Sequence, residues 1–396
     1  FKRVMDGNGY TKYNFHTERY LKVNNTNLFG LFEYKKSYEN GVKYSHLNNP
    51  YRGTPFILTD SVNIGDIIDR EFFQLTGEFA TPLTEKLYWG GSSNMNIGLA
   101  AQDRDPRSSN KVMDLDVSQG LLLKYDKFKM GLNALYSYYN EEIFVDIIHN
   151  NTTSLFYQLV GFDSDIEFEA ASYSRLYKRH TGGGGFQMQI GNSTLNNLMG
   201  IKLVWFDETA GDGRTLGDAT WSYRKEDSKL QGTELRLYTT ATLKNNNTIH
   251  QLSAESRTIS FIGFEQLTRI EKIDDLTDDW VLFWTEPKSS YFLNSIDIQY
   301  NFLLLRDSYS KSLSFSVGIN QTEMLSSYYV PNLYENYTDR SYEASLEKCF
   351  KIGNHEILAG TGIKRKKSLS GEYLSGYDNF ITNNILIPDF NYYTSN

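Results

Sequence analysis

Six histidines, His16, His46, His149, His180, His250 and His355, are the first residues to try for proton chemistry, and none falls in a nucleophile or acid–base spacing. Neither His-Glu-x-x-His nor Gly-x-Ser-x-Gly occurs, so the chain spells neither a zinc-bound water nor an elbow-mounted serine. A hydrolase would need histidine and carboxylates converging at one site; His46 and His180 are the residues through which that outlying reading is tested. The run Gly182-Gly183-Gly184-Gly185 lacks the Lys-Ser/Thr and following helix of a phosphate cradle. It reads instead as a strand whose positions must be small, or as a flexible rim.

Carboxylates supply the metal signal. Asp207, Asp212 and Asp218 lie in a Gly-rich stretch, and Asp274, Asp275, Asp278 and Asp279 in an acidic one. They are candidates for Ca2+, a hard cation that takes clustered oxygens, with solvated acidic loops as the competing account. Arg104-Asp105-Pro106-Arg107 sets two guanidinium forks around an acid and a rigid proline. Arg104, Asp105 and Arg107 suit either anion binding or a lock between loops, and the lock is the better reading. The single cysteine, Cys349, excludes an internal disulfide and a cysteine metal cluster, and reads as a buried or wall-facing small residue. A net charge of −8 leaves no basic footprint for nucleic acid. No catalytic residue and no cofactor is expected, the calcium candidates apart.

What would position these residues is clearest at 113–139. Met113, Leu115, Val117, Leu121, Leu123 and Tyr125 occupy odd positions, and after Asp126-Lys127 the phase moves to even ones, with Phe128, Met130, Leu132, Ala134, Tyr136 and Tyr138. A two-residue connection then sets Tyr125 against Phe128, Leu123 against Met130, Leu121 against Leu132, Val117 against Tyr136 and Leu115 against Tyr138, so one face of the ribbon is apolar and the other polar. Both strands match or exceed the roughly 9–11 residues that cross a bilayer at a tilt. The apolar face reads as a lipid-facing wall and the polar face as a lumen, the pattern of a transmembrane β-barrel; a soluble sandwich or propeller hairpin is the alternative.

Composition agrees. Mean hydropathy is −0.49, yet aromatics reach 15% with 29 Tyr and 24 Phe, as expected of a wall half wetted by lumen and girdled by interfacial aromatics. No apolar run is long enough for a spanning helix, which leaves a closed barrel as the bilayer-crossing option. Short turns recur at 24–27, 81–84, 126–127, 192–194, 245–247, 306–308 and 352–354, separated by pairs of strands with longer polar connections. That predicts one all-β domain, 1–396, with about 14 strands (roughly 12 to 16), short periplasmic turns and long extracellular loops. Residues 35–69 and most of 140–180 read as loop, with Ile143 to Ile148 and Ile166 to Tyr173 as possible strand continuations. The last strand is read to end near Lys364, or the sequence to be cut short; Phe1-Lys2-Arg3, with no signal peptide, reads as a trimmed start.

Gly30-Leu31-Phe32-Glu33-Tyr34, then Asn48-Asn49-Pro50-Tyr51, the Trp89 strand, Arg104-Asp105-Pro106-Arg107-Ser108-Ser109-Asn110 and Tyr136-Ser137-Tyr138-Tyr139-Asn140-Glu141-Glu142 together resemble a family of uncharacterised outer-membrane β-barrels of Bacteroidota. The likeness is specific over about the first half of the chain and loose after Gly200, and Ser108 stands where the family usually has proline. It implies outer-membrane location and fold rather than mechanism. Members look like companions of TonB-dependent uptake receptors and surface lipoproteins, so the resemblance implies a non-enzymatic accessory role in nutrient uptake. A stand-alone porin-like channel for small polar solutes is the alternative.

Overall fold

The computed structural model describes residues 2–62, 64–148, 153–161, 164–214, 223–272, 278–305, 311–330, 332–352, 355–376 and 378–395. In chain order the elements are β1 (Gly9–Val23), β2 (Thr26–Val42), β3 (Leu58–Asp60), β4 (Asp66–Pro82), β5 (Leu87–Gln102), β6 (Arg107–Lys124), β7 (Phe128–Asp146), β8 (Ser154–Gly161), β9 (Ser164–Ala170), β10 (Ser172–Gly191), β11 (Leu195–Arg214), β12 (Tyr223–Lys244), β13 (Thr248–Lys272), β14 (Asp278–Leu305), β15 (Lys311–Tyr328), β16 (Leu333–Ile352) and β17 (His355–Leu374). A π-helical turn (Thr382–Leu386) and a short helix α1 (Ile387–Thr394) follow.

Fourteen of these strands form one antiparallel sheet in the order β1-β2-β4-β5-β6-β7-β10-β11-β12-β13-β14-β15-β16-β17, and β3, β8 and β9 form a second, three-stranded sheet. The 113–139 ribbon has the register its alternation demands: Leu115 opposite Tyr138, Val117 opposite Tyr136, Leu121 opposite Leu132 and Leu123 opposite Met130. Outward positions stay exposed even where they are large and apolar, Leu132 at 65% and Trp205 at 60% among them. Tyr125 stacks on Phe128 at the turn end, with ring centroids 4.6 Å apart. The Gly182–185 run lies inside β10, paired on both sides, as a strand rather than a rim. A Cβ at Gly184 would come within 2.8 Å of the Asn133 carbonyl oxygen, so the neighbouring backbone leaves no room for one. The turn residues 306–308 and 353–354 and His149 lie outside the described residues.

The strands run further than the alternation suggests. β2 continues to Val42 and β4 begins at Asp66, so much of 35–69 is wall, with Lys36 opposite Glu71 and Glu39 opposite Ile68. Likewise 140–180 is mostly strand: β7 reaches Asp146, β10 starts at Ser172, and between them β8 and β9 belong to the small sheet. Ile166 to Tyr173 thus straddles the end of β9 and the start of β10 rather than extending one wall strand. β17 runs to Leu374, ten residues beyond Lys364. The physical reason is shared: past the apolar belt the outward positions turn polar, as Lys36, Tyr38 and Asn40 do, and the two-residue rhythm fades while the hydrogen-bond ladder continues.

The small sheet packs on the polar side of the large one. Phe56, Leu58 and Phe156 from the connecting segments bury against Ile143, Val145, Tyr177, Phe206, Ala210 and Leu230 of the wall. These wall residues share the phase of the polar positions, so the connections have folded onto the inner face as a plug. The termini join it. Gly7 N–H donates to Glu39 Oε1 on β2 at 2.7 Å, Val4 N–H donates to Asp389 Oδ1 at 2.9 Å, and Tyr393 stacks on Tyr337 of β16 with centroids 4.7 Å apart. A flat sheet would hold β2 and β16 about 50 Å apart. The sheet is therefore curled around the plug. The described ladder runs from β1 to β17 with no pairing between those two ends.

Candidate functional site

Two ionic nodes anchor the plug to the wall. The first is centred on Arg52, in the segment between β2 and β3. Its guanidinium forks onto the fully buried Glu208 of β11, Nη1 to Oε2 at 2.7 Å and Nη2 to Oε1 at 3.0 Å. It also lies over the rings of Tyr139 and Tyr177, 4.7 and 5.1 Å from their centroids. Burial opposes the charge on Arg52 more than any single interaction favours it, but Glu208, Tyr139 and Glu141 together outweigh it and hold the group above its ordinary range. Beside it Glu141 of β7, also fully buried, accepts Asn48 N–H at 2.7 Å, Asn110 Nδ2 at 2.8 Å and the Tyr139 hydroxyl at 2.6 Å. Every oxygen of these carboxylates faces a donor, the condition under which a buried charge is tolerated.

The second node is centred on Arg175 of β10, with no exposed surface. It forks onto Asp227 of β12 with both bonds at 3.0 Å, reaches Asp212 Oδ1 at 2.7 Å, and donates from Nε to the Tyr177 hydroxyl at 3.1 Å. That hydroxyl donates onward to the Phe56 carbonyl at 2.6 Å. Gln158 of β8 donates to Asp227, and Tyr173 to Asp212. The wall thus holds the plug by inward-phase side chains, with Asp227 brought among them at the bulge opposite Ala210 and Gly211. At the termini, burial pushes the Asp389 carboxyl of α1 up, against hydrogen bonds from Val4 N–H and the Tyr51 hydroxyl that favour the charged form.

On the same face lies a cavity of about 740 Å3. Eight lysine and arginine side chains line it against four carboxylates, although the chain as a whole is acidic. Inward positions of four successive strands supply its densest stretch: Arg179 on β10, Lys202 on β11, Glu234 on β12 and Arg257 on β13. Nothing in the motif reading pointed here. The available signal was charge standing in the polar phase of neighbouring strands, a pattern that carries meaning only once the register is known.

The residues singled out from sequence are placed as follows. Asp207 and Asp212 sit on opposite faces of β11, since five positions separate them; Asp207 lies 3.1 Å from Lys229 Nζ, and Asp212 pairs with Arg175. Asp218, Asp274 and Asp275 lie outside the described residues, as do the side chains of Asp278 and Asp279, whose backbones belong to β14. Among the described residues no three metal-ligating side chains converge. Arg107 Nε donates to Asp105 Oδ1 at 2.9 Å within the β5–β6 connection, and Arg104 N–H donates to Asp66 at 3.0 Å, so this stretch ties to the start of β4. His46 is buried, its Nε2 2.8 Å from Asp60 Oδ2 and its Nδ1 3.1 Å from Gln102 Oε1. His180 stands on the outward face, 2.8 Å from the Tyr136 hydroxyl. The two histidines occupy opposite sides of the wall. Cys349 is buried.

Among solved structures the chain is similar to the RagAB peptide importer in its closed-closed state, at 8% identity and a TM-score of 0.42, over 89% of this chain and 51% of that one. It is similar to the copper transporter OprC at 8% identity and 0.42, over 92% and 63%, and to the outer membrane transporter YddB from Escherichia coli at 8% and 0.40, over 91% and 55%. The chain thus spans between about half and two thirds of the chains it matches. No curated protein matches it. The description Family of unknown function (DUF6850) matches residues 1–396, and the chain belongs to that family.

Proposed function

We propose that residues 1–396 form a single transmembrane β-barrel of the outer membrane of a member of the Bacteroidota, acting without catalysis as an accessory component of a nutrient-uptake assembly. Its companions in that assembly are a TonB-dependent receptor, a surface lipoprotein, or both. One observation carries the reading: the same fourteen strands present exposed apolar side chains on one face and a charged, plug-filled face on the other. Lipid is the solvent that suits the first face. In lipid, unpaired N–H and C=O groups along β1 and β17 would each cost several kcal/mol or so, so β1 and β17 pair with one another and close the barrel. Leu115, Val117, Leu121, Leu123, Tyr125, Phe128, Met130, Leu132, Tyr136 and Tyr138 then face outer-membrane lipids, with the short turns periplasmic and the plugged end extracellular.

The plug favours an accessory role over a free channel, because a stand-alone porin needs an unobstructed lumen. Arg104, Asp105 and Arg107 act in this reading as the loop lock and as the mark of the family. The test is native purification from the outer-membrane fraction in mild detergent, with identification of what co-migrates. A receptor or lipoprotein retained at fixed stoichiometry supports the reading. A monomer on native gels removes the assembly, conductance steps in planar bilayers restore the channel, and solubility without detergent overturns the membrane placement itself.

A further inference from the structure

Lys202, Arg236 and Arg257 stand directly opposite one another on β11, β12 and β13. Like charges placed in register across a ladder repel, and two carboxylates relieve this row diagonally. Arg236 Nε donates to Glu255 at 2.5 Å, and Arg257 forks onto Glu234 at 2.9 and 3.0 Å. Both acids are then committed, and Lys202 is the third cation of a row with two anions. Arg179 is left over in the same way. Glu208 Oε2 lies 3.8 Å from it, but both oxygens of that carboxylate already accept the Arg52 fork. The Arg179 guanidinium lies over Phe206, 4.1 Å from the ring centroid, a contact that engages the cation without accepting a hydrogen bond from it. Glu208 and Glu234 attract Arg179, while Arg52 and Arg257, which hold those two carboxylates, repel it. Arg52 Nε itself is buried without a hydrogen-bond partner. Arg179, Lys202, Arg52 and Arg257 all line the cavity.

Surplus cations crowded against a cavity favour an anion that shares it, and guanidinium and ammonium groups are the side chains that receive carboxylate and phosphate. We propose that this cavity binds a small solute bearing carboxylate or phosphate groups, with Arg179 and Lys202 as its principal receivers. Its volume, about 740 Å3, suits a metabolite-sized ligand rather than a polymer. The inference deepens the uptake reading and rests on it for the meaning of the ligand, while binding itself depends only on the folded lumen.

The experiment is calorimetric titration of the detergent-solubilised protein with citrate and, separately, with inorganic phosphate at constant ionic strength. Saturable binding is expected for at least one probe. Arg179→Gln and Lys202→Gln should each weaken it about tenfold or more, and Lys229→Gln, on the outward face beside Asp207, should leave it unchanged. A response to citrate alone assigns carboxylate, and to phosphate alone, phosphate. Because Lys202 is in surplus, Lys202→Gln should also raise the unfolding temperature of the ligand-free protein, which separates lost binding from lost folding. Absence of saturable binding to either probe at 10 mM or so, or equal binding by wild type and both lumen variants, overturns the proposal. Neither result bears on membrane placement or co-purification.

Discussion

Leu132 and Glu141 stand on the same strand, β7, on opposite faces, and owe their surroundings to different kinds of interaction. Leu132 meets Leu121 across a two-residue turn, and any apolar neighbour of similar size would serve it. Glu141 is held by Asn48, Asn110 and Tyr139 beside an arginine whose principal partner, Glu208, lies 156 residues from it in sequence. The outer face is therefore specified by composition and rhythm, the inner face by particular donors and acceptors. Damage to the two should differ in kind: replacements outside should track polarity, whereas inside they should track which single partner is lost.

The largest effect is expected at the inner face. Arg52→Met strands Glu208 as a buried charge and should destabilise plug docking by about 3–5 kcal/mol. The readout is amide exchange and proteolytic nicking within 43–65. Pairing it with Glu208→Leu should recover much of the loss, and a double variant no better than the single would contradict the ion-pair account. Next is Leu132→Arg, at the middle of the apolar belt. If lipid covers this face it should cost about 2–4 kcal/mol; at 65% exposure to water it would cost almost nothing. Urea unfolding in lipid micelles decides between them.

A smaller effect attaches to Asp389. Burial raises its folded pKa, so folding favours the protonated form. Its contribution is then complete below about pH 4, the unfolded value, and is lost as pH rises through the raised one. Exchange protection of residues 382–394 should fall with rising pH, and Asp389→Asn should flatten the profile; protection that grows with pH would reverse the assignment. The smallest change is expected from Arg107→Gln. Its ion pair with Asp105 is only part-buried, with side-chain exposures of 35% and 18%, which limits it to about 0–1 kcal/mol. A global loss of stability from this variant would make the connection more than a local tie.

Much of the wall was legible because its information is local. Alternation in 113–139 carries its own register, and the recurrent Asn-rich and Pro-containing turns divide the rest into hairpins whose number matches the fourteen-stranded sheet. The inner site was not legible in the same way. Asn48-Asn49-Pro50-Tyr51-Arg52 stood out as a loop, and nothing near it in sequence says that Arg52 closes on Glu208 or that Asn48 caps Glu141. Residues 154–161 and 164–170 read mostly as loop, with a strand continuation from Ile166, and instead form two strands that pair with each other and with β3 on the inner face.

From sequence alone come the sheet, the approximate number of its strands, the phase of each hairpin and the ends at which turns are short. These follow from a two-residue period that one chain segment imposes on its neighbour. Only the tertiary structure decided that the longer connections turn inward, that Arg52 and Arg175 hold them there, and that Arg179 and Lys202 face a cavity beside carboxylates already held by Arg52 and Arg257. Those outcomes depend on charges brought together from strands far apart in sequence, and whether a buried charge is matched or left over is settled by the count of partners that arrive beside it.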